Sequence, residues 1–219
     1  MNNQVDDLAQ RLEACYSGAV YDVLRALGHP NQVLPPTIRP LDATRRLAGR
    51  VYTVSGHSDD TLDAHQTLLQ WTGLLSKAPA DSVVICQPND SALAHMGELS
   101  AETMTLRGVR GYIVDGGCRD SELILGIGFR IWCRYYTPRD VVGRWVADGF
   151  GEPIRIGEVT IHSGDYVLAD RDGIVIIPAD LAHDVTAQTE TVMQTENLVR
   201  KAILAGVDPQ QAYLQYGKF

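Results

Sequence analysis

Lysine is scarce in this chain: Lys77, Lys201 and Lys218 are the only three in 219 residues. None stands out as an imine-forming amine, so Schiff-base chemistry has no obvious residue to use. Positive charge as a whole is in short supply. Nineteen Lys and Arg face 27 Asp and Glu, a formal net charge of -8. An acidic chain without a Lys/Arg run repels phosphate backbones, which excludes non-specific nucleic-acid binding. Cysteine is sparse as well. Cys15, Cys86, Cys118 and Cys133 show no C-x-x-C spacing, which leaves neither a disulfide framework nor a zinc cluster. Cys86 and Cys133 lie in apolar runs and read as small core residues. No apolar run approaches the ~20 residues of a membrane span. The opening stretch, MNNQVDDLAQ, lacks a charged segment followed by an apolar one, so no secretory leader is expected. A cytoplasmic protein with no membrane partner is the expectation.

What is present is ordinary for a globular protein: 45% hydrophobic and 21% charged residues. The length suits one domain over 1–219 with a C-terminal helix and arm. Apolar spacing predicts a helix over 4–15, then a second in GAVYDVLRALG with Ser17 as its N-cap and Gly28 and Pro30 as its stop. RVYTVS (50–55) alternates as a strand does, and a helix through Leu75 follows. DSVVICQ (81–87) and GYIVD (111–115) read as buried strands, separated by a loop and the short helix ELSAETMTLR. SELILGIG reads as a helix and RIWCRYY as a strand. This alternation predicts an α/β sheet with parallel members. Turn signals in 153–177 predict antiparallel hairpins. LAHDVTAQTETVMQTENLVRKAILAG predicts one long helix ended by Gly206, and the tail from Val207 reads as an arm on a neighbour.

Ligands of open α/β sheets sit beyond the carboxyl ends of strands. Two buried strands here end in the loops Gln87–Gly97 and Gly116–Asp120. If those strands are neighbours, Glu98 and Asp120 face one another beside Arg119. Two carboxylates with room for water suit a hard divalent cation, and a guanidinium suits a substrate carboxylate. Free N–H groups at the start of the 98–107 helix add to an anion site. Plainer readings compete at each position: Asp120 as an N-cap, Arg119 as a solvated charge, and Glu98 as a complement to the helix dipole. His95 sits in the crevice loop, where it either meets substrate and carries protons or is a plain surface histidine. HSDDTLDAH (57–65) carries two histidines and three aspartates, but its spacing matches no helical metal motif and it reads better as a polar loop. Cys118 reads as a small side chain filling the turn rather than as a nucleophile.

GELSAETMTLRGVRGYIVDGGCRD (97–120) resembles the class II pyruvate aldolases of the 4-hydroxy-4-methyl-2-oxoglutarate (HMG/CHA) type, which share their fold with RraA-like regulators of RNase E activity. The family pattern is an acidic residue, some twenty positions, then Arg-Asp; Glu98 and Arg119-Asp120 meet it. SGAVYDVLRALG, GRVYTVSGHSDDTLDAH and GDYVLADRDGIVIIP are similar to further family segments. The resemblance implies a layered α/β sandwich of the RraA-like, swivelling-domain-like type with a mixed sheet. It implies homotrimers or homohexamers with sites between subunits, and Mg²⁺ or Mn²⁺ as cofactor. It implies Asp120 as direct metal ligand, Glu98 through water, and Glu196 as the match to a glutamate from the adjacent subunit's last helix. Arg119 would bind the pyruvyl carboxylate, with backbone amides around Met96, Gly97, Glu98 and Leu99 completing that site and His95 nearby. The activity implied is cleavage of a 4-hydroxy-2-oxo acid to pyruvate, with oxaloacetate decarboxylation beside it. The rival is a non-catalytic RraA-like protein that docks on a ribonuclease. Regulators of that branch tend to lose the acidic pair, which this chain keeps.

Overall fold

The computed structural model describes residues 6–219. In chain order its elements are α1 (Asp7–Ala14), α2 (Ser17–Ala26), β1 (Arg39–Pro40), β2 (Leu47–Ser58), α3 (Ala64–Lys77), β3 (Ser82–Gln87), α4 (Glu98–Leu106), β4 (Gly111–Val114), β5 (Gly117–Cys118) and α5 (Ser121–Ile127). There follow β6 (Ile131–Cys133), β7 (Tyr135–Tyr136), β8 (Trp145–Phe150), β9 (Ile154–Ile156), β10 (Val159–Ile161), β11 (Tyr166–Ala169), β12 (Ile174–Ile177), α6 (Ala182–Leu204) and α7 (Pro209–Tyr216).

The main sheet is mixed, in the order β1-β6-β4-β3-β2-β11-β12, with β8 also paired to β2. Its centre is parallel: β2 with β3, β3 with β4, and β4 with β6. Strands β11 and β12 form an antiparallel hairpin whose first strand pairs with β2. Both faces of the parallel centre are buried, which is why β3 reads as a continuous apolar run. Alternate residues separate. Val84 and Cys86 pack with Trp71, Leu74, Ala101, Met104 and Ile124 from the helices. Val83 and Ile85 turn the other way, against Ile154, Ile156, Val159 and Ile161 of the β9–β10 hairpin. A third cluster joins α1, α2 and α6 to β11 and β12 through Leu12, Leu24, Val185, Leu168 and Val175. This is the layered α/β sandwich that the sequence implies.

Several local expectations need adjustment. Residues 4 and 5 of the expected first helix lie outside the described residues; α1 begins after Asp6, whose side chain accepts from the N–H of Leu8 and Ala9. Ser17 is not the N-cap of α2. Tyr16 holds that position, and the Ser17 N–H and hydroxyl donate to the buried Asp170 at 2.8 and 2.7 Å. The expected strand 130–136 begins only at Ile131 and breaks at Arg134 into β6 and β7. Strand β8 was not anticipated, because WVADGF carries a turn-like Ala-Asp-Gly within it. It pairs with β2 across a bulge at Ser55–Gly56, where a Cβ on Gly56 would lie 2.1 Å from the Trp145 ring. The tail forms α7 and folds back, with the Lys218 Nζ donating to Asp22 at 2.8 Å. No described helix is long and apolar enough to cross a membrane.

Candidate active site

Strands β3 and β4 are neighbours, so the loops that leave their carboxyl ends run side by side. Three backbone links zip them together. Ala94 and Gly117 form a parallel bridge, the His95 N–H donates to the Gly117 carbonyl at 2.8 Å, and the Arg119 N–H donates to the Met96 carbonyl at 2.9 Å. This pairing brings residue 98 to residues 119 and 120. Gly116 and Gly117 serve close packing rather than a left-handed turn. A Cβ on Gly116 would sit 2.7 Å from the His95 Nδ1, and one on Gly117 would sit 2.5 Å from the Leu93 carbonyl oxygen.

Asp120 occupies the N-cap position of α5 but does not cap it. Its backbone is left-handed, φ 55°, an uncommon conformation for a residue with a Cβ. The side chain instead reaches across to α4, where Oδ2 accepts from the Glu98 N–H at 3.1 Å. Gly97 makes room for it, since a Cβ there would lie 2.7 Å from Asp120 Oδ2 and 3.2 Å from Arg119 Nε. Arg119 lies between two carboxylates, with Nε 3.4 Å from Asp120 Oδ2 and Nη1 3.2 Å from Asp140 Oδ2. The Arg119 and Asp120 side chains are each 37% exposed, so both are fixed yet open to a ligand.

These groups line a cavity of about 540 Å³, within the usual range of roughly 300–1,000 Å³ for small-molecule sites. Glu98, Arg119, Asp120 and Asp140 line it together with the hydroxyl residues Thr72, Ser76, Ser100 and Thr103 and the apolar Trp71, Leu75 and Val142. Met96, Gly97 and Leu99 line it too. The first-turn N–H groups of α4 lack intrahelical acceptors, and that of Glu98 is taken by Asp120.

His95 departs from expectation. It is fully buried and does not line the cavity, although Ala94 and Met96 on either side of it do. Its ring packs edge-on against Trp145 with centroids 5.0 Å apart, and neither ring nitrogen has a hydrogen-bond partner. Burial pushes its pKa down to about 4, only partly opposed by Asp90, whose Oδ1 lies 3.6 Å away. In this arrangement the His95 ring does not reach the cavity. Glu196 also lies apart from the crevice of its own chain. It accepts a hydrogen bond from the Tyr16 hydroxyl and has Lys218 3.7 Å away. His57 pairs with Asp148 at 2.7 Å rather than joining His65. Cys118 is buried and free. Nothing in the sequence singles out Asp140; its signal, a Thr-Pro-Arg-Asp turn after an apolar strand, is common to many loops. Only the parallel pairing of β5 with β7 carries it to Arg119.

Among the described residues no three His, Cys, Asp or Glu side chains converge into a ready metal cage. Two carboxylates, Asp120 and Glu98, are nonetheless available. The Asp120 Oδ1 carries no hydrogen bond among the described residues, while Oδ2 is held by Glu98 N–H. Few protein ligands with open positions fit Mg²⁺, which keeps several waters and binds through one or two carboxylates plus substrate oxygens.

Known proteins place the chain. The family described as RraA-like, Aldolase/RraA, matches residues 17–176. Protein DlpA of Legionella pneumophila is 26% identical over 216 residues, 98% of this chain. The match spans only 34% of DlpA's own length. A Halalkalibacterium halodurans protein named "Putative 4-hydroxy-4-methyl-2-oxoglutarate aldolase" is 28% identical over 185 residues, 83% of each chain. The solved structure of Streptomyces coelicolor RraAS2, described as an unusual member of the RNase ES inhibitor RraA protein family, shares the fold. It aligns with a TM-score of 0.78 at 23% identity, over 91% of this chain and 98% of that one. Matched from α2 through β12 and carrying the same fold, the chain belongs to the RraA-like, Aldolase/RraA family.

Proposed function

We propose that this chain is a divalent-metal-dependent carbon–carbon lyase of the cytoplasm. It cleaves a 4-hydroxy-2-oxo acid to pyruvate, with oxaloacetate decarboxylation as a side activity. One observation carries the reading: a half-exposed Arg119, braced by Asp120 and Asp140, in a cavity that Glu98 also lines. The aldolase name of the Halalkalibacterium relative supports it.

The chemistry follows from the charges. In the cleavage the C3–C4 bond breaks and its electron pair moves onto the 2-oxo group as an enolate. The C4 hydroxyl gives up its proton and becomes a carbonyl, and C3 later takes a proton. Arg119 binds the carboxylate at C1 through its fork of donors. The same guanidinium offsets the negative charge that grows on the neighbouring oxygen, and it needs little reorganisation because Asp120 and Asp140 already hold it. Asp120 and Glu98 would hold Mg²⁺ or Mn²⁺, which supplies Lewis-acid polarisation of the 2-oxo group. Homotrimers or homohexamers with sites between subunits belong to the same proposal. The exposed Leu204 and Phe219, which line a cavity together with Glu196, give a second copy an apolar face to cover.

The test follows pyruvate with a coupled dehydrogenase, using oxaloacetate and 4-hydroxy-2-oxo acids with Mg²⁺ or Mn²⁺, with and without EDTA. Metal-dependent pyruvate release is expected, and Arg119→Ala should lower turnover by about a hundredfold or more, the scale for losing a preorganised charge contact. No turnover of any 2-oxo acid would favour the ribonuclease-docking protein instead.

A further inference from the structure

The loop after β7 is pinned at several points, and Asp140 stands in its middle. The Thr137 N–H donates to the Cys118 carbonyl at 3.1 Å, and the Arg139 carbonyl accepts from the Ala94 N–H at 2.7 Å. Further on, the Gly143 N–H donates to the Thr67 hydroxyl of α3 at 2.8 Å. Within the loop, Asp140 Oδ1 accepts from the Val142 N–H at 3.2 Å, and Oδ2 stands 3.2 Å from Arg119 Nη1. Asp120 Oδ2 lies 3.4 Å from Nε of the same guanidinium. Nη2 makes no hydrogen bond among the described residues. No other Lys, Arg or His lines the cavity. The Thr72 and Thr103 hydroxyls donate to carbonyls of their own helices, at 2.8 and 2.7 Å. The cavity therefore has one cation, held at two nitrogens and presenting the third.

Resting on the lyase reading above, we propose that Asp140 is a positioning residue that raises turnover at the expense of ligand affinity. It holds Nη1, so the C1 carboxylate of a 2-oxo acid meets the guanidinium at Nη2, in one orientation. The same negative charge repels that carboxylate. The Arg119 and Asp140 side chains are 37% and 43% exposed, so solvent screens this repulsion without abolishing it. Unit charges a few ångströms apart under such screening lower affinity by about three- to tenfold. The two effects fall on different steps. Binding that is equal in the ground and transition states lowers KM and leaves kcat unchanged. A weaker grip on the resting carboxylate therefore does not slow bond cleavage, whereas the fixed orientation of the guanidinium speeds it. Pyruvate, the product, carries the same carboxylate and is released more readily for the same reason.

Asp140→Asn tests this by binding and turnover together. The amide keeps an oxygen for the Val142 N–H and removes the charge. Titration calorimetry with pyruvate in Mg²⁺ should find the variant binding about three- to tenfold tighter than the parent. Its kcat on oxaloacetate should fall by about tenfold or more, because Arg119 loses its second hold. Asp140→Glu keeps the charge and displaces it by one methylene, so it should lose kcat without the gain in pyruvate affinity. A residue that only supports the loop would weaken binding and turnover together. Equal or weaker pyruvate binding by Asp140→Asn, or an unchanged kcat, would overturn the proposal and leave the lyase reading standing. In an Arg119→Ala background the substitution should no longer lower kcat; a loss that persists there would also overturn it, since Asp140 would then act without Arg119. No pyruvate binding by the unaltered protein would discard both readings.

Discussion

Asp120 meets two demands with one carboxylate. Oδ2 ties the start of α4 to the turn before α5, and the group also faces the cavity beside Arg119. Asp120→Asn separates these roles. The amide oxygen still accepts from the Glu98 N–H, so the urea midpoint should stay within about 0.5 kcal/mol of the parent, the range of changes that break no special feature. Pyruvate release should nevertheless fall by about a hundredfold or more, since a neutral amide neither holds a cation nor balances Arg119. Unchanged turnover would reduce Asp120 to a structural clip. His95 makes a prediction about pH. Its folded pKa is lowered to about 4 from the ordinary 6.5. Between those values the unfolded chain binds the proton and the folded chain does not. Its contribution is therefore complete above pH 6.5 and is lost as pH falls towards 4, amounting to about 3 kcal/mol. Urea unfolding between pH 7.5 and pH 4.5 should show this loss, and His95→Phe should flatten the His95-dependent part. An equal slope in the variant would mean that other groups cause it.

At the scale of elements, the site depends on how closely two loops approach. Gly97 and Gly117 test two parts of that approach with the same added methyl. At Gly97 the new Cβ meets the far ends of Asp120 and Arg119, which can swing away. Gly97→Ala should keep its stability within about 1 kcal/mol yet lose about a hundredfold in turnover, the cost of misplacing a catalytic group by an ångström. At Gly117 the Cβ meets the Leu93 carbonyl oxygen at 2.5 Å and the Tyr135 ring, and backbone cannot swing. Gly117→Ala should cost about 1–3 kcal/mol by overpacking. Paired urea melts and activity assays distinguish the two. A stable, fully active Gly97→Ala would show that the carboxylate has slack. The strands themselves were legible because β3 and β4 are unbroken apolar runs between turn residues. Strand β8 was not, since its place is set by Trp145 lying over Gly56, far away in the chain.

For the whole molecule, one ion network ties the first helix to the sheet. Arg110 donates to Asp81 at 2.9 Å, to Glu13 of α1 at 2.7 Å and to the Ala48 carbonyl at 2.6 Å. Glu13 also takes Arg130 at 2.5 Å. The Arg110 side chain is only 12% exposed; deleting it leaves Glu13 to Arg130 and, among the described residues, leaves Asp81 with the Asp6 N–H alone. Arg110→Met should cost about 1–2 kcal/mol, read as a lower urea midpoint, with turnover unaffected in the fraction that remains folded. A loss below 0.5 kcal/mol would show the network to be no stronger than an ordinary surface pair.

The order of helices and strands, the acidic surface and the chemistry-bearing trio Glu98, Arg119 and Asp120 were set down locally. Apolar periodicity, turn residues and short motifs act over a few positions, and a linear string displays them. Asp140 beside Arg119, the burial of His95 behind Gly116 and the mixed lining of the cavity were decided only when distant segments packed. Burial and charge compensation depend on every neighbour in space, and those neighbours come from four separate stretches of chain. The same polymer pattern would allow a histidine in that loop to face solvent or core, and only the close-packed interior fixes which.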